Sequence, residues 1–328
     1  MIENSRILIT GAGGFIGSHM ARELFSGNNF VRGVDIKWDN YIPEACCSEK
    51  LTMDLRVKEN CLKATEGIDY VFNLAANMGG IGFITEVGAD VMYDNTLINA
   101  HMIRSSFENK VKRILFSSSA CIYPNFKQTS PEVSPLKEED AYPADPDSFY
   151  GWEKLYTEKM LEAFGRDCSL DTRIVRYHNI YGPEGTFKGG REKSPAALCR
   201  KIAQAADPGE IEIWGDGRQT RSYCYIDDCV KGTIMLMESD FSQPLNIGSD
   251  RLVTIDELAD IIIKISGKKI VKHYDTTKPQ GVRGRNSDNT MLRKILKWEP
   301  GISLEEGLKN TYIWIEKELT NTAKGSVV

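Results

Sequence analysis

The sequence predicts an α/β fold built on a doubly wound parallel sheet, with a smaller C-terminal substrate-binding cap. From residue 1 to about 176, short β-rich apolar runs alternate with helical segments. This alternation is typical of a parallel sheet covered by helices on both faces. After residue 176 the repeated alternation stops. We therefore expect residues 177–328 to form mainly the cap, with segments near 215–245 returning to the first domain.

The elements of the first domain follow from hydrophobic periodicity. The stretch from Tyr123 to Asp147 contains five prolines and little periodicity, which predicts a long surface loop of the kind that is often functional. The candidate strands are 6–10, 30–35, Tyr70–Leu74, Arg113–Ser117 and Thr172–Arg176, and the candidate helices lie near 14–26, 88–109 and 149–165.

In the second half, a helix is predicted to begin at Ser194-Pro195, where a cap residue is followed by proline at the first helical position. Trp214 and Trp298 are predicted to be core residues. The other predicted elements are strands at Ile211–Trp214 and Ser222–Ile226 and amphipathic helices at Thr254–Gly267 and Ser303–Leu319.

The first candidate strand leads directly into the glycine loop Gly11-Ala12-Gly13-Gly14-Phe15-Ile16-Gly17. Glycine is required where the backbone turns tightly, approaches a pyrophosphate, or packs a helix on a strand. The helix that follows offers free N–H groups and a partial positive charge to phosphates. The second strand ends in Asp35, where a carboxylate binds the adenosine ribose hydroxyls and repels a 2′-phosphate. The pattern predicts a Rossmann-type domain that binds NAD rather than NADP.

Composition and charge exclude several classes of protein. The 328-residue chain carries a net charge of −5, so we expect neither nucleic acid nor an anionic membrane as a partner. No apolar run reaches membrane-spanning length and Met1 leads directly into the first strand, which predicts a cytoplasmic protein. The eight cysteines are scattered, with no CxxC pair and no histidine at ligand spacing. We expect neither a metal site nor a disulfide framework.

A serine, a tyrosine and a lysine form the candidate catalytic set. Ser119 ends a predicted strand, where ligands meet parallel sheets. Tyr150 and Lys154 are four residues apart, which places both on one face of a helix. We expect the lysine ammonium to lower the pKa of the phenol toward the range of a general base. A Tyr–Lys pair alone arises by chance, but beside the glycine loop it predicts removal of a hydroxyl proton while NAD accepts the hydride.

These residues resemble the extended short-chain dehydrogenase/reductase family. The resemblance covers nearly the whole chain, including Arg176–Pro183 and Arg221–Asp228. Most members with this pattern act on nucleotide-diphosphate sugars, and the family often forms homodimers through a helix pair, so the resemblance implies both properties here. It also implies that the cofactor is bound by Gly11, Gly14, Phe15, Ile16, Gly17, Asp35, Asp54, Tyr150 and Lys154.

Three further segments look like those of the GDP-mannose 3,5-epimerases within this family: Asn77–Phe83, Ala120–Pro124 and Lys188–Lys193. In those enzymes a cysteine two residues beyond the serine and a lysine in the Arg-Glu-Lys segment form the acid/base pair. The matching positions are Cys121 and Lys193. Oxidation of the sugar C4 to a ketone acidifies the hydrogens on C3 and C5, and inversion then needs a base on one face of the ring and an acid on the other. The resemblance implies conversion of GDP-mannose to GDP-L-galactose, with GDP-L-gulose as the C5-only product.

The resemblance also implies where the substrate binds. Arginine forks match phosphate oxygens well, so basic residues suit an anionic nucleotide. His178 is expected to be structural. The implied substrate residues are Met78, Gly79, Gly80, Asn179, Lys193, Arg200, Lys201, Arg221, Arg283 and Arg285.

Two kinds of alternative remain open. A 4,6-dehydratase of the same family is disfavoured, because those enzymes place an Asp-Glu pair where this chain has Ala120-Cys121. A nucleotide-sugar 4-epimerase needs no acid/base pair beyond Tyr150 and leaves Cys121 and Lys193 without a role. A non-catalytic NAD-binding module belongs to a different class, and the intact Ser-Tyr-Lys set argues against it.

Overall fold

The structure is a computed structural model that describes residues 2–38 and 46–325. Its strands divide between one large sheet and three small ones. They are β1 (Arg6–Thr10), β2 (Phe30–Asp35), β3 (Glu49–Thr52), β4 (Tyr70–Asn73), β5 (Arg113–Ser119), β6 (Thr172–Tyr177), β7 (Ile180–Tyr181), β8 (Gly209–Trp214), β9 (Thr220–Ser222), β10 (Cys224–Tyr225), β11 (Pro244–Ile247), β12 (Leu252–Thr254), β13 (Ile270–Asp275) and β14 (Gly284–Arg285).

The helices connect and cover these strands. They are α1 (Phe15–Ser26), α2 (Lys58–Thr65), α3 (Ile81–Glu86), α4 (Gly88–Glu108), α5 (Phe149–Cys168), α6 (Ser194–Gln204), α7 (Ile226–Glu238), α8 (Ile255–Ser266), α9 (Thr290–Leu296) and α10 (Leu304–Gly325). Within the described residues, no helix is long and apolar enough to cross a membrane.

The large sheet is parallel and has the strand order β11-β6-β5-β4-β1-β2-β3. Ile7 of β1 lies opposite Val31 on one side and Tyr70 on the other. From β1 the chain builds outward through β2 and β3, then crosses to β4 and builds the other way. In open α/β sheets, ligands bind at the carboxyl ends of the strands where this reversal occurs. The fold therefore places a binding crevice beside Gly11, which follows β1.

Each central strand is buried on both faces, because successive side chains point to opposite sides of a sheet. Ile7 and Ile9 belong to the core on the face of α1 and α7. Leu8, between them, belongs to the core formed with α2, α4 and α5. All three are fully buried. This two-sided burial explains why the strands read as continuous apolar runs rather than as alternating patterns.

The cap consists of α6, α8 and α10 with the small sheets β13-β8 and β12-β9-β14. Leu198 of α6, Leu258 of α8 and Leu308 of α10 are buried in the same cluster as the α1 face of the large sheet. The cap therefore packs directly on that face. Helix α8 begins with a reciprocal capping box between Thr254 and Glu257, as expected for a stable amphipathic helix.

Residues 226–247 return to the large sheet. β11 pairs in parallel with β6, from Pro244 opposite Ile174 to Ile247 opposite Tyr177, and α7 packs beside α1. This segment adds the edge strand that continues the sheet beyond β6.

Two sequence predictions are wrong in part. The predicted strand Ser222–Ile226 is divided into β9 and β10, and Ile226 instead begins α7. The predicted surface loop from Tyr123 to Asp147 is not wholly exposed, because Tyr123 and Leu136 are buried in a small core of their own. Leu136 also forms a bridge to Ser287. Proline content predicted the irregular backbone but not this burial.

Candidate active site

A cavity of about 680 Å³ opens at the carboxyl ends of the central strands. The glycine loop, Asp35 and Asp54 line one part of it, and Ser119, Tyr150 and Lys154 line another. The cofactor residues implied by the sequence are therefore brought together around one space. Phe15 and Ile16, the first two residues of α1, also line it.

The glycine loop is tight enough that larger residues would not fit. Gly11 adopts a φ of +70°, a conformation that L side chains rarely adopt. A Cβ at Gly17 would lie 2.0 Å from the carbonyl oxygen of Gly11, which fixes the close approach of helix and strand. Gly14 is the N-cap residue of α1 and offers no side chain there. The first turn of the helix is left open toward the cavity.

Gly13 is a functional residue for which no role was predicted from the sequence. Its N–H donates to the Asp35 carboxylate over 2.9 Å, and a Cβ at this position would lie 2.1 Å from the carbonyl oxygen of Lys37. The second glycine of the loop therefore holds the Asp35 carboxylate in place at the cavity. Burial raises the pKa of Asp35, and hydrogen bonds from Lys37 and Gly13 oppose that effect. The Gly11-x-Gly13 spacing is the feature of the sequence that could have indicated a role for Gly13.

Asp54 lies at the rim of the cavity. Its carboxylate forms a salt bridge of 2.7 Å with Arg56, and Arg56 also contacts Asp94 on α4 at 2.9 Å. The hydrogen bond from Arg56 lowers the pKa of Asp54. Because its pKa is lowered, the Asp54 carboxylate stays ionised and can accept hydrogen bonds at the rim of the cavity that Asp35 also lines.

The catalytic set is assembled by β5 and α5. Ser119 is the last residue of β5, and its hydroxyl oxygen accepts from the N–H of Cys121 over 3.2 Å. Tyr150 lies in the first turn of α5, whose N-cap is Ser148. The Lys154 ammonium lies 5.5 Å from the centre of the Tyr150 ring. The i,i+4 spacing therefore places both side chains on the cavity side of the helix, as predicted.

The pKa of Tyr150 differs in direction from the sequence-based expectation. Burial raises it well above its usual value, the charges of Cys121 and Glu153 add to the rise, and a hydrogen bond with Ser119 opposes it. Burial also lowers the pKa of Lys154, which the neighbouring Glu153 carboxylate raises again. Glu153 and Lys154 are both fully buried and lie 3.6 Å apart. The protein alone thus favours a neutral phenol, first because Tyr150 is buried and then because of nearby negative charge, which includes Glu153, an acid that was not predicted from the sequence.

A second cavity of about 290 Å³ adjoins the first. Met78, Ser119, Tyr150 and Lys193 line both cavities, and Cys121 lines the second. The residues expected to move protons therefore lie where the two spaces meet. This placement brings together β5, the N-terminus of α5 and the segment before α6.

Cys121 is held by an arginine from the far end of the chain. Arg285 Nη1 donates to Cys121 Sγ over 3.2 Å, and its Nε donates to Gln128 Oε1 over 2.6 Å. Arg285 is buried and forms a salt bridge with Asp147. The guanidinium therefore points a positive group at the thiol. Asp147 and Gln128 lie in the proline-rich loop, and neither was predicted from the sequence.

Lys193 is the N-cap residue of α6 and is half-buried. Burial of its ammonium group lowers its pKa, and the nearby charge of Cys121 opposes this effect. Lys193 and Cys121 come from segments 72 residues apart in the chain. The structure brings them to the same cavity, as the resemblance implied.

The glycines of the 77–83 loop allow a close approach of the α6 segment. A Cβ at Gly80 would lie 2.4 Å from the carbonyl oxygen of Glu192. Met78, Gly79 and Gly80 all line the second cavity. Asn179 lines it from the other side, with a φ of +45° and its amide donating to the carbonyl of Ser222 over 2.9 Å.

The cavity contains an arginine that lacks a carboxylate partner. The hydrogen bonds of Arg221 within the described residues go to the carbonyls of Thr220 and Gln280. Burial lowers the pKa of Arg221 to about 10, and the charge of Arg285 adds to this effect. Arg200, in contrast, pairs with Glu192 at 3.0 Å. Among the described residues Arg221 is thus a half-buried cation without a carboxylate partner, and it is available to an anionic ligand.

Lys201 lines the same cavity and donates to the carbonyl of Glu212 over 2.7 Å. Its ammonium lies 5.7 Å from the centre of the Trp214 ring. Trp214 is 40% exposed and lines the cavity, so its prediction as a core residue is wrong. It ends the edge strand β8, where one face of the ring stays open.

Arg283 is placed away from the cavities. Its guanidinium forms a bidentate pair with Asp216, with distances of 2.9 and 3.0 Å, and it lines neither cavity. Arg285, two residues further along the chain, lines the second cavity. The structure therefore brings Arg285 to the site and does not bring Arg283 there.

Comparison with known proteins agrees with this geometry. The model of the NAD dependent epimerase/dehydratase family matches residues 7–248. The chain belongs to this family. A GDP-mannose 3,5-epimerase from Arabidopsis thaliana is 50% identical over 328 residues, covering 99% of this chain and 86% of the relative. A GDP-L-fucose synthase from Escherichia coli (strain K12) is 30% identical, covering 95% of this chain and 97% of the relative.

Solved structures of the family share the fold. A UDP-glucose 4-epimerase with UDP-glucose from Thermotoga maritima superposes with a TM-score of 0.87 at 29% identity, covering 95% of this chain and 99% of that one. A UDP-glucose 4-epimerase from Thermus thermophilus in complex with NAD has a TM-score of 0.82 at 21% identity, covering 94% and 98%. The second comparison supports the fold alone.

NAD is the cofactor of the family, and the first cavity fits it. Gly13 and Gly17 allow the loop to pack tightly, because a Cβ at either would clash with a backbone carbonyl oxygen, and the first turn of α1 faces the cavity. The Asp35 carboxylate lines the same cavity and has the chemistry to accept hydrogen bonds from ribose hydroxyls. The Lys154 ammonium is buried with no hydrogen-bond partner among the described residues, which leaves its donors free for a bound group.

Proposed function

We propose that the protein inverts C3 and C5 of GDP-mannose to give GDP-L-galactose through a 4-keto sugar, with GDP-L-gulose as the C5-only product. One observation carries the proposal: Cys121 and Lys193 reach the same cavity as Tyr150 from separate parts of the chain. A simple dehydrogenation needs neither of them. The 50% identity to a GDP-mannose 3,5-epimerase supports the same conclusion.

In the first step, the sugar C4 hydroxyl is oxidised. NAD, when bound, accepts the C4 hydride and later returns it, so no net redox change occurs. Tyr150 removes the hydroxyl proton, Ser119 hydrogen-bonds the C4 oxygen, and the Lys154 ammonium lies close enough to the phenol ring, at 5.5 Å from its centre, to offset part of the effect of burial when the proton is taken up. Because burial raises the pKa of Tyr150, the phenol then retains its proton until the ketone is reduced.

In the second step, protons are exchanged at the carbons beside the ketone. In this proposal Cys121 removes a proton, and the Arg285 guanidinium that donates a hydrogen bond to its sulfur holds the sulfur in place at the cavity. Because burial lowers the pKa of Lys193, its ammonium is suited to donate one. The proposal requires Cys121 and Lys193, which reach one cavity from different segments, to approach opposite faces of the ring.

The cap holds the nucleotide, and residues 1–176 hold NAD. Arg221 is suited to the diphosphate because it is half-buried without a carboxylate partner among the described residues. The remaining substrate contacts in this proposal come from Met78, Gly79, Gly80, Asn179, Arg200, Lys201 and Arg285, which line the second cavity.

A homodimer completes the proposal. Helices α4 and α5 pack together and expose large hydrophobic side chains, among them Tyr93 at 67%, Phe149 at 62% and Tyr156 at 55%. Trp152 is 42% exposed on the same face of α5. Exposed apolar patches of this size favour association.

We place the protein in the cytoplasm, which is supported by its eight free cysteines.

The experiment uses Cys121→Ala and Lys193→Ala, with Cys168→Ala as a matched control outside both cavities. The two site variants should still oxidise C4 and accumulate a 4-keto sugar with NADH. Their epimerisation should fall by ~10²–10⁴-fold, the usual contribution of a general acid or base. The control should behave as wild type. A 4-epimerase would instead tolerate both site substitutions, which would overturn the proposal.

A further inference from the structure

The segment that carries Lys193 is fastened to the 77–83 loop, whose last residues form the first turn of α3, by the Arg191 side chain and one backbone hydrogen bond. The guanidinium carbon of Arg191 lies 3.7 Å from the centre of the Phe83 ring, a stacked cation–π contact. Arg191 Nη1 also donates to Asn77 Oδ1 over 3.2 Å and to the carbonyl of Met78 over 3.3 Å. In the backbone, the N–H of Gly80 donates to the carbonyl of Arg191 over 3.0 Å. We refer to these contacts as the Arg191 clamp.

The loop on which the clamp closes is itself anchored. The N–H of Asn77 donates to Asn95 Oδ1 over 2.6 Å, and the Asn95 amide donates back to the Asn77 carbonyl over 3.2 Å. Asn95 is fully buried on α4. The Asn77 side chain also donates to Asp94 over 3.1 Å. The clamp therefore joins the Lys193 segment to a fixed part of the first domain.

The chain just before the clamp has little support. Gly189 and Gly190 have φ values of +90° and +82°, and a Cβ built at either would meet no atom within 4 Å. Both are exposed, as is Lys188. Two consecutive glycines in open space impose few restraints on the residues that follow. The position of the segment is therefore set from Arg191 onward, by the contacts of Arg191 and by the 3.0 Å salt bridge between Glu192 and Arg200 of α6.

The clamp lies where the two cavities meet. Arg191 and Lys193 line the larger cavity, while Gly190, Glu192 and Lys193 line the smaller one. We propose that Arg191 is a positioning residue: by clamping its segment onto the 77–83 loop, it sets the Lys193 ammonium against the sugar. The inference rests on the proposed function. Arg191 itself transfers no proton in this account.

The clamp affects the proton exchange by Lys193 and not the hydride transfer at C4. Lys193 lies two residues beyond Arg191, so release of the clamp displaces its ammonium from the sugar. Tyr150 and Lys154 are held by α5, which the clamp does not contact. Misplacement of a reacting group by about 1 Å costs on the order of 10²-fold in rate. Proton exchange at the carbon served by Lys193 should therefore fall while hydride transfer continues.

The test compares Arg191→Ala and Phe83→Leu with the control Lys188→Ala, an exposed cation in the same segment. With GDP-mannose in deuterated water, Arg191→Ala should lose about 10²-fold in solvent exchange at C3 or C5. Its single-turnover rate of NADH formation should stay within about twofold of wild type. Phe83→Leu should show a smaller loss in the same direction, and Lys188→Ala none. Hydrogen exchange of the free proteins should become faster over 188–193 in Arg191→Ala, to a smaller extent in Phe83→Leu, and not in Lys188→Ala.

Two results would overturn the inference. Wild-type solvent exchange in Arg191→Ala would show that the clamp does not position Lys193. An equal fall in NADH formation and solvent exchange would show a general structural role instead. A wild-type protein without exchange at C3 or C5 would contradict the proposed function, and the hydrogen-exchange result would still report on the clamp itself.

Discussion

Acidification should destabilise the fold through His178, which directly precedes Asn179. His178 is fully buried, with Nε2 3.0 Å from Asn246 Oδ1. Burial lowers its pKa from 6.5 to about 3; the Asn246 hydrogen bond opposes the shift, and the charges of Arg285 and Arg176 add to it. The folded protein therefore keeps this ring neutral over a range in which the unfolded chain binds a proton.

The magnitude follows from the two pKa values. Above pH 6.5 the ring is neutral in both states and contributes no pH dependence. Between pH 6.5 and about 3 only the unfolded state is protonated, so the free energy of unfolding falls as the pH falls. The slope approaches about 1.4 kcal/mol per pH unit, and the full separation of the pKa values corresponds to about 5 kcal/mol. The loss is complete once the pH is below the pKa of the folded state.

The assay is urea unfolding of wild type and His178→Gln from pH 7.5 to 4.5, with the exposed His273→Gln as the control. His178→Gln should be less stable at pH 7.5 because of altered packing. Its deficit should shrink by about 3 kcal/mol as the pH falls from 6.5 to 4.5, because glutamine does not titrate. The free energy of unfolding of the His273→Gln control should change with pH in parallel with that of wild type. A constant difference between His178→Gln and wild type would refute the reasoning.

Three further predictions concern the cofactor, the catalytic tyrosine and assembly. Asp35→Ala should relax the preference for NAD over NADP in calorimetric titration, because the charge facing a 2′-phosphate is removed; tighter NADP binding by wild type would contradict the role of Asp35. Tyr150→Phe should abolish NADH formation with an unchanged melting temperature, and near-normal turnover would exclude the ketone mechanism. Trp152→Glu combined with Tyr156→Glu should yield a monomer in analytical ultracentrifugation, whereas a wild-type monomer would exclude the proposed dimer.

The central sheet could be predicted from the sequence because the two signals for it, apolar runs and the glycine loop, are both local. Apolar runs located β1, β2, β4, β5 and β6, and the glycine loop located the binding crevice at the end of β1. The edge strands β3 and β11 were missed. Glu49–Thr52 is only partly buried, so it lacks the continuous apolar pattern, and Pro244–Ile247 is short. Pairing with an existing sheet, rather than intrinsic propensity, makes both segments strands.

The site residues that escaped prediction act through long-range contacts. Arg283 and Arg285 are two arginines of one short segment, and only their long-range partners distinguish them: Arg283 pairs with Asp216, whereas Arg285 contacts Cys121. Glu153 reads as a surface acid next to a lysine, yet it is fully buried and changes the electrostatics of Tyr150. No local pattern distinguishes such a residue from an exposed one, because its burial depends on how α4 and α5 pack.

The positions of solvent hydrogen in the product test the central claim most directly. Wild-type protein is incubated with GDP-mannose in deuterated water, and the product is examined by NMR spectroscopy. The account predicts deuterium at C3 and C5 of GDP-L-galactose, at C5 alone in GDP-L-gulose, and none at C4, because the C4 hydride returns to the carbon that lost it. Inversion at C4 with no deuterium at C3 or C5 would contradict the account.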